Sequence, residues 1–127
     1  MAEICVSSHH GSITELLQDA EFRDLSQRDG FLIELRLDAY QDLSVAHFDD
    51  AVEVLGARKL VVTYRHPMEG GKNPNVTDVE RLRFLQHAAT RGVCYVDIEA
   101  RSLTPKFQKG SSKLILSYHS FGGVPDL

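Results

Sequence analysis

Five short apolar runs recur along the chain, and each of them ends in polar or charged residues. The runs are rich in Val, Ile and Leu, as is typical of strands that are covered on both faces. Segments with a helical spacing of apolar residues separate most of the runs, and this alternation favours a parallel sheet with βαβ crossovers. We therefore predict an α/β fold with strands at residues 4–7, 31–37, 59–65, 93–99 and 113–121.

Helix start and stop signals mark the segments between the strands. Ser12 is a candidate N-cap with Glu15 three residues later, and Thr77 repeats this capping-box pattern with Glu80. Gly56 follows the second helical pattern and is expected to end that helix. The predicted helices cover residues 13–20, 44–55 and 77–91, and residues 104–109 are expected to form one or two helical turns.

Length and composition fit one domain over residues 1–127. A chain of 127 residues with 43% hydrophobic content is long enough for one core and too short for two. The net charge of −4 gives no indication of a nucleic-acid or membrane partner, and no apolar run approaches the roughly 20 residues that span a bilayer. The N-terminus lacks the pattern of a signal peptide, so we expect a cytoplasmic protein. Cys5 and Cys94 are predicted to be buried free thiols, and His9 and His10 to lie in a surface loop.

The polar residues at the strand ends fall on one face of the predicted sheet. Side chains alternate along a strand, so residues two positions apart point to the same side. The carboxyl ends of parallel strands meet at one edge, where loops build binding sites. One face of that edge therefore collects Ser7, Glu34, Arg36, Asp38, Thr63, Arg65, Asp97, Glu99, Ser117 and His119.

This cluster of polar residues has two interpretations. One is a network of buried ion pairs, with Glu34 against Arg36 and a carboxylate of the fourth strand against Arg65. The other is a ligand pocket, because a guanidinium binds a carboxylate or a phosphate through two hydrogen bonds. In a pocket, His119 is the natural general acid and base at neutral pH.

The loop after the third strand and the end of the fourth strand leave further alternatives. Glu69 could reach into the pocket and orient His119. Residues 68–71 could form a phosphate cradle or a flexible turn, although they lack the spacing of known phosphate-binding loops. Asp97 and Glu99 could hold a metal ion together with His119.

Several motifs together resemble type I 3-dehydroquinate dehydratase. They occur in that family's order on all five predicted strands: Ile-Cys-Val-Ser over residues 4–7, Glu-Leu-Arg-Leu-Asp over 34–38, Thr-Tyr-Arg over 63–65 followed by Glu-Gly-Gly over 69–71, Tyr-Val-Asp-Ile-Glu over 95–99, and Ser-Tyr-His-Ser-Phe over 117–121. The resemblance implies a (β/α)8 barrel of the shikimate pathway that dehydrates 3-dehydroquinate to 3-dehydroshikimate, with no metal and no cofactor. In that family a lysine forms a Schiff base with the substrate ketone, and a histidine transfers the protons.

The resemblance also implies roles for individual residues. His119 matches the proton-transferring histidine, and Glu69 matches the carboxylate that supports it. Phe121 would pack against the bound substrate. The other implied substrate-binding positions are Ser7, Glu34, Arg36 and Arg65.

The family's Schiff-base lysine lies on the strand after the fifth, and the sequence reaches Leu127 soon after its fifth strand. We therefore expect a truncated barrel of about five parallel strands with covering helices, since a full barrel needs roughly 200–250 residues. Among the lysines present, only Lys72, on the loop after the third strand, could swing into the pocket.

A partial barrel would leave its first and fifth strands as open edges. Such edges invite pairing with another chain, so we expect a homo-oligomer or assembly with a complementing C-terminal half. Two hypotheses for function follow. The chain is a dehydratase that is active only if a lysine comes from elsewhere, or it is an inactive truncated homologue that binds a small carboxylate ligand.

Overall fold

Strands and helices alternate along residues 3–118, the part of the chain that the computed structural model describes. No helix in this part is both long and apolar enough to cross a membrane. The strands are β1 Ile4–Ser7, β2 Phe31–Arg36, β3 Leu60–Thr63, β4 Tyr95–Glu99 and β5 Lys113–Ser117. The α-helices are α1 Ile13–Gln18, α2 Ala20–Ser26, α3 Val45–Leu55 and α4 Asp78–Thr90, and short 3-10 turns cover Leu37–Ala39, Ala57–Lys59 and Pro67–Glu69.

The sheet has the strand order β1-β2-β3-β4-β5, with every neighbouring pair parallel. Each strand therefore lies beside the next one along the chain, and the helices pack against one face of the sheet. Sequential parallel strands with helices on a single face form the winding of a (β/α) barrel, whereas an open doubly wound sheet carries helices on both faces. The predicted fold of about five parallel strands with covering helices is confirmed.

The hydrophobic core lies between the helices and the sheet face that they cover. Alternate strand residues such as Ile33 and Leu35 point into it, and Phe48 of α3 and Leu85 of α4 are fully buried in the same cluster. Burying one such side chain contributes about 1.5–3 kcal/mol. Because residues of the other parity point away from this core, the polar strand ends are directed to the opposite face, which we call the open face.

The predicted helix boundaries are marked by side-chain caps. The Ser12 hydroxyl accepts a hydrogen bond from the N–H of Glu15 at 3.0 Å. Thr77 and Glu80 form a complete capping box at the start of α4. Helix α3 ends at Gly56, whose φ of 93° favours glycine.

The helix predicted over residues 13–20 is interrupted, and the second helix that follows was not predicted. Asp19 separates α1 from α2 because its backbone is extended and its carboxylate accepts from the N–H of Glu21 at 3.0 Å, which makes it the N-cap of α2. The same carboxylate lies 2.9 Å from Nε2 of His10. His9 and His10 lie in the predicted loop, where His9 is exposed and His10 is only partly exposed because of this contact.

The two edge strands are more exposed than their apolar sequences suggested. In β5, Ile115 is 37% and Leu116 58% exposed, and Ile4 at the start of β1 is 59% exposed. In the described part of the chain no further strand pairs with the outer edge of β1 or β5. Cys5 is an exposed thiol, contrary to the prediction of burial, while Cys94 is partly buried and both thiols are free.

The described crossover from β4 to β5 contains no helix. A single turn, closed by a hydrogen bond of 3.1 Å from the N–H of Phe107 to the carbonyl of Thr104, replaces the predicted helical turns. Thus α4 is the last helix along the described residues.

Candidate functional site

The polar strand ends lie together on the open face, around a cavity of about 590 Å³ that receives side chains from all five strands. Leu32, Val61 and Tyr95 form an apolar floor toward the amino ends of the strands. Polar residues form the rim toward the carboxyl ends, among them Ser7, Glu34 and Asp97. The strand register produces this layering, because it sets Ser7 beside Glu34 and Thr63 beside Asp97.

Glu34 is held between two hydroxyl donors. Ser7 Oγ donates to Oε1 at 2.6 Å, and Thr63 Oγ1 donates to Oε2 at 2.7 Å. The pairing of Glu34 with Arg36 that an ion-pair network required is not observed, since Arg36 turns to Asp38 instead. The carboxylate of Glu34 therefore faces the cavity as a fixed acceptor.

Arg36 makes a bidentate contact with Asp38. Its Nε lies 3.0 Å from Oδ1 and its Nη2 lies 2.9 Å from Oδ2. The Asp38 side chain is completely buried, whereas that of Arg36 is 28% exposed. The hydrogen bond to Asp38 raises the pKa of Arg36, so the guanidinium remains charged at the rim.

Arg65 connects β3 with β4 and β5. Its Nη1 donates to Ser117 Oγ at 3.1 Å and lies 3.6 Å from Oε1 of Glu99, and its Nη2 lies 3.8 Å from Oδ2 of Asp97. The expected pairing of Arg65 with a carboxylate of the fourth strand is therefore present, and both Asp97 and Glu99 take part in it. Burial of Arg65 makes these contacts stronger than the same pairs would be in water.

Asp97 is the carboxyl group of the rim whose pKa is raised. Burial is the main cause, and the charges of Glu99 and Glu34 add to it. A hydrogen bond of 2.6 Å from Ser117 and the charge of Arg65 act in the opposite direction. The ionised form of Asp97 thus depends on Ser117 and Arg65.

A second buried arginine lies behind the rim, on the helix side of the sheet. Arg81 of α4 is fully buried and forms a short ion pair with Glu99, which is 1% exposed. Its Nε and Nη2 also donate to the carbonyl of Tyr64 at 3.0 and 2.9 Å, and its Nη1 donates to Ser102 Oγ at 3.2 Å and Asp78 Oδ1 at 2.8 Å. Glu99 is therefore shared between Arg65 on the open face and Arg81 behind it.

The loop from His66 to Lys72 is closed by its own hydrogen bonds. The N–H groups of Glu69 and Gly71 donate to the carbonyl of His66, and that of Gly70 donates to the carbonyl of Pro67. The N–H of Met68 donates to Nδ1 of His66 at 3.0 Å. Because these donors are already used, the loop cannot cradle a phosphate, and that alternative is wrong.

Glu69 lies buried at the end of the 3-10 turn Pro67–Glu69. Its Oε2 lies 2.7 Å from Nε of Arg101. The side chain of Lys72, the lysine that could swing into the pocket, is exposed, and its backbone N–H donates to Asp38 Oδ2 at 3.0 Å. The implied catalytic histidine, His119, and the implied packing residue, Phe121, lie outside the described residues.

Two of the three side chains of the metal alternative, Asp97 and Glu99, lie within the described residues, and both have protein partners. Asp97 is engaged by Ser117, and Glu99 accepts from Arg81 and from the N–H of His66 at 2.8 Å.

Sequence reasoning placed Thr63 on this face from its spacing to Arg65 but gave it no role, and it missed Arg81. Arg81 lies four and seven positions before Leu85 and Ala88, so it occupies the buried stripe of its helix. An arginine within such a stripe indicates a buried carboxylate partner.

Comparison with known proteins identifies a family that this chain matches. The chain matches the type I 3-dehydroquinase family over residues 4–127. The 3-dehydroquinate dehydratase of Desulfotalea psychrophila is 34% identical to it over 132 aligned residues, covering 98% of this chain and 54% of that protein.

Solved structures give the same fold. The 3-dehydroquinate dehydratase from Enterococcus faecalis is 26% identical with a TM-score of 0.71, covering 98% of this chain and 56% of its own. The type I 3-dehydroquinate dehydratase from Clostridium difficile is 20% identical with a TM-score of 0.78, covering 98% of this chain and 53% of its own. The chain therefore spans about half the length of the relatives that it matches.

Proposed function

The chain belongs to the type I 3-dehydroquinase family, and we propose that it binds 3-dehydroquinate on the open face and takes part in its dehydration to 3-dehydroshikimate. The observation that carries the proposal is the rim itself. Glu34 and Arg36 lie on β2, Arg65 follows the adjacent strand β3, and each of them forms hydrogen bonds with neighbouring polar groups. Such prearranged groups suit a small polyhydroxylated carboxylate.

We assign substrate contacts to Ser7, Glu34, Arg36 and Arg65. The two guanidinium groups suit the carboxylate or ketone end of the ligand, because they are charged donors in a fixed fork. Glu34 accepts hydrogen bonds from two protein hydroxyls and can accept from a ligand hydroxyl in the same way. The packing of Phe121 on the ligand is proposed from its motif alone.

We assign proton transfer to His119, with Glu69 as its supporting carboxylate. The dehydration removes a proton from the carbon beside the ketone, and the hydroxyl on the next carbon leaves as water once it has been protonated. One histidine can perform both transfers because its pKa lies near neutrality. The burial of Glu69 in the loop that follows β3 supports its part in this assignment, and the sequence motif supports that of His119.

The amine for a Schiff base is proposed to come from outside the described residues. No lysine of residues 3–118 lines the cavity, and Lys59 donates to the carbonyl of Arg28 at the amino end of the sheet. This observation favours a second candidate function, in which the chain binds a small carboxylate without converting it. Both candidates share the binding step, and only turnover separates them.

Arg36→Gln is expected to weaken the binding of 3-dehydroquinate about 10-fold to 100-fold, because a charged hydrogen-bonding group is worth about 1.5–3 kcal/mol. Isothermal titration calorimetry of the purified chain measures the dissociation constant. Arg83→Gln is the matched control, since Arg83 is exposed on α4 and its loss changes the net charge equally. Absence of binding by the unmodified chain at millimolar ligand, or equal weakening by both variants, contradicts the proposal.

Turnover is followed in the same samples through the absorbance of the conjugated enone product. Activity that is lost in His119→Ala establishes the dehydratase and assigns the histidine. Binding without turnover establishes the second candidate function.

We further propose that the chain assembles through its edge strands, either with a second copy or with a polypeptide that supplies the remaining strands. The exposed apolar residues Ile4 and Leu116 on opposite edges support this. Light scattering after size-exclusion chromatography is expected to give a mass above that of one chain at micromolar concentration.

Leu116→Lys is expected to shift that mass toward a single chain, because a charge blocks edge pairing. Val79→Lys is the control, since Val79 is 66% exposed on α4, away from either edge. A single-chain mass for the unmodified protein, with no association on mixing with candidate partners, contradicts the proposed assembly.

A further inference from the structure

We propose that Asp38 is a positioning residue of the ligand pocket, which fixes Arg36, the backbone of Arg65 and the loop that carries Glu69. The inference rests on the proposed function, since it concerns how residues of that site are held. Asp38 itself contacts no ligand in this proposal and acts through the groups that it binds.

Asp38 is the most heavily engaged carboxylate of the rim in the described part of the chain. Oδ1 accepts from Arg36 Nε at 3.0 Å and from the N–H of Arg65 at 3.4 Å. Oδ2 accepts from Arg36 Nη2 at 2.9 Å and from the N–H of Lys72 at 3.0 Å. A carboxylate offers about four lone-pair sites, so all of them are occupied by protein donors. The fully buried side chain has no capacity left for a ligand.

The contact with Asp38 determines which edge of the Arg36 guanidinium can bind a ligand. Nε and Nη2 donate to the carboxylate, whereas Nη1 donates no hydrogen bond to any residue within 3–118. Arg36 is therefore fixed along one edge and offers the other at the partly exposed rim. Restraint before binding removes part of the entropy loss that a free arginine would suffer when it meets a ligand.

The two backbone contacts of Asp38 join three separate segments. Arg65 follows β3, and Lys72 closes the loop that contains Glu69. One buried carboxylate thus ties the end of β2 to the end of β3 and to this loop. A shift of Asp38 would displace Arg36 and Glu69 together, although they lie 33 positions apart in the sequence.

Asp38→Asn is the test, because it preserves the shape of the side chain but replaces two acceptor sites with N–H donors that face Arg36 and Lys72. We expect the dissociation constant for 3-dehydroquinate to rise about 10-fold to 100-fold, as misplaced binding groups commonly cause. Circular dichroism confirms that the variant is folded at the temperature of the titration.

A double-mutant cycle separates positioning from a general loss of stability. Asp38→Asn is expected to weaken binding at least about 2-fold less in the Arg36→Gln background than in the unmodified chain, because the part of its effect that acts through Arg36 is then already lost. The contacts of Asp38 with the N–H groups of Arg65 and Lys72 account for the effect that remains. Full additivity of the two substitutions overturns the proposal that Asp38 positions Arg36.

A readout without ligand keeps the proposal separate from the proposed function. In the unmodified chain, the Nε–H of Arg36 and the N–H of Lys72 are expected to exchange with solvent at least about 10-fold more slowly than the Nε–H of exposed Arg83, as followed by NMR. Loss of this protection in Asp38→Asn supports the positioning role even if 3-dehydroquinate does not bind. Exchange of Arg36 as fast as that of Arg83 in the unmodified chain overturns it, and this measurement requires no variant to fold.

Discussion

Arg81→Met is expected to lower the free energy of unfolding by about 3–5 kcal/mol, the largest single effect that we predict for this chain. Methionine fills much of the space of the arginine side chain but leaves Glu99 as a buried charge with one strong partner removed. It also deprives the carbonyl of Tyr64 of two donors. Urea unfolding followed by circular dichroism is the suitable measurement, because the sequence contains no tryptophan.

Two companion variants test the physical reason for this effect. Arg83→Met on the exposed side of the same helix should change stability by less than about 0.5 kcal/mol. When Glu99→Gln is added to Arg81→Met, part of the lost stability should be restored, because the buried charge of Glu99 that has lost its arginine partner is then removed. Equal destabilisation by Arg81→Met and Arg83→Met would show that the buried ion pair is not the cause.

Gly71→Ala is expected to destabilise the chain by about 1–3 kcal/mol or more, and to weaken ligand binding at the same time. A Cβ at this position would lie 2.2 Å from the carbonyl oxygen of Arg65 and 2.9 Å from the carbonyl carbon of His66. These are backbone atoms, so relief requires movement of the loop or of the end of β3. Arg65 and the loop that carries Glu69 would then be displaced from the rim.

Gly11→Ala provides the matched control for this prediction. A Cβ at Gly11 meets nothing within 4 Å, and its backbone is in a region open to other residues. The free energies of unfolding and of ligand binding of Gly11→Ala should therefore remain within about 0.5 kcal/mol of those of the unmodified chain. If Gly71→Ala behaves like Gly11→Ala in both measurements, the close approach of the loop to Arg65 has no energetic importance.

The faces of the strands could be predicted from the sequence because alternation along a strand is fixed by backbone geometry. Glu34, Arg36 and Asp38 were placed on one side by spacing alone, and the helix caps at Ser12 and Thr77 followed from equally local rules. These features depend on residues that are close together in the chain. They are the part of the fold that a single sequence specifies most directly.

The partners of the polar residues could not be predicted in the same way. Glu34 meets Ser7 and Thr63, which lie 27 and 29 positions away, so its contacts depend on register across three strands. Glu34 does not pair with Arg36 on its own strand, because Arg36 binds Asp38, which lies in the 3-10 turn that follows β2. Arg81 comes from a different layer altogether. The tertiary structure determines which donor binds which acceptor. The pattern of residue types in the sequence contains little information about these pairings.

The exposure of β5 also differs from what its sequence predicts. Leu114, Ile115 and Leu116 read as a strand covered on both faces, yet the described residues contain no helix after β4 and no strand beyond β5. The apolar sequence indicates what the strand is suited to contact. It does not indicate whether that contact is made within this part of the chain.

The strand order also bears on how the polypeptide acquires its structure during synthesis. Each strand pairs with the one made immediately before it, so β1 and β2 can join as soon as both have left the ribosome, and β3 and β4 can be added in turn. Among the described residues, no strand pairs with a partner that is more distant in the sequence than the next strand. Growth from the amino end therefore leaves one newly formed strand without its next neighbour at each stage, and such an unpaired edge is prone to aggregation until the following strand has been synthesised.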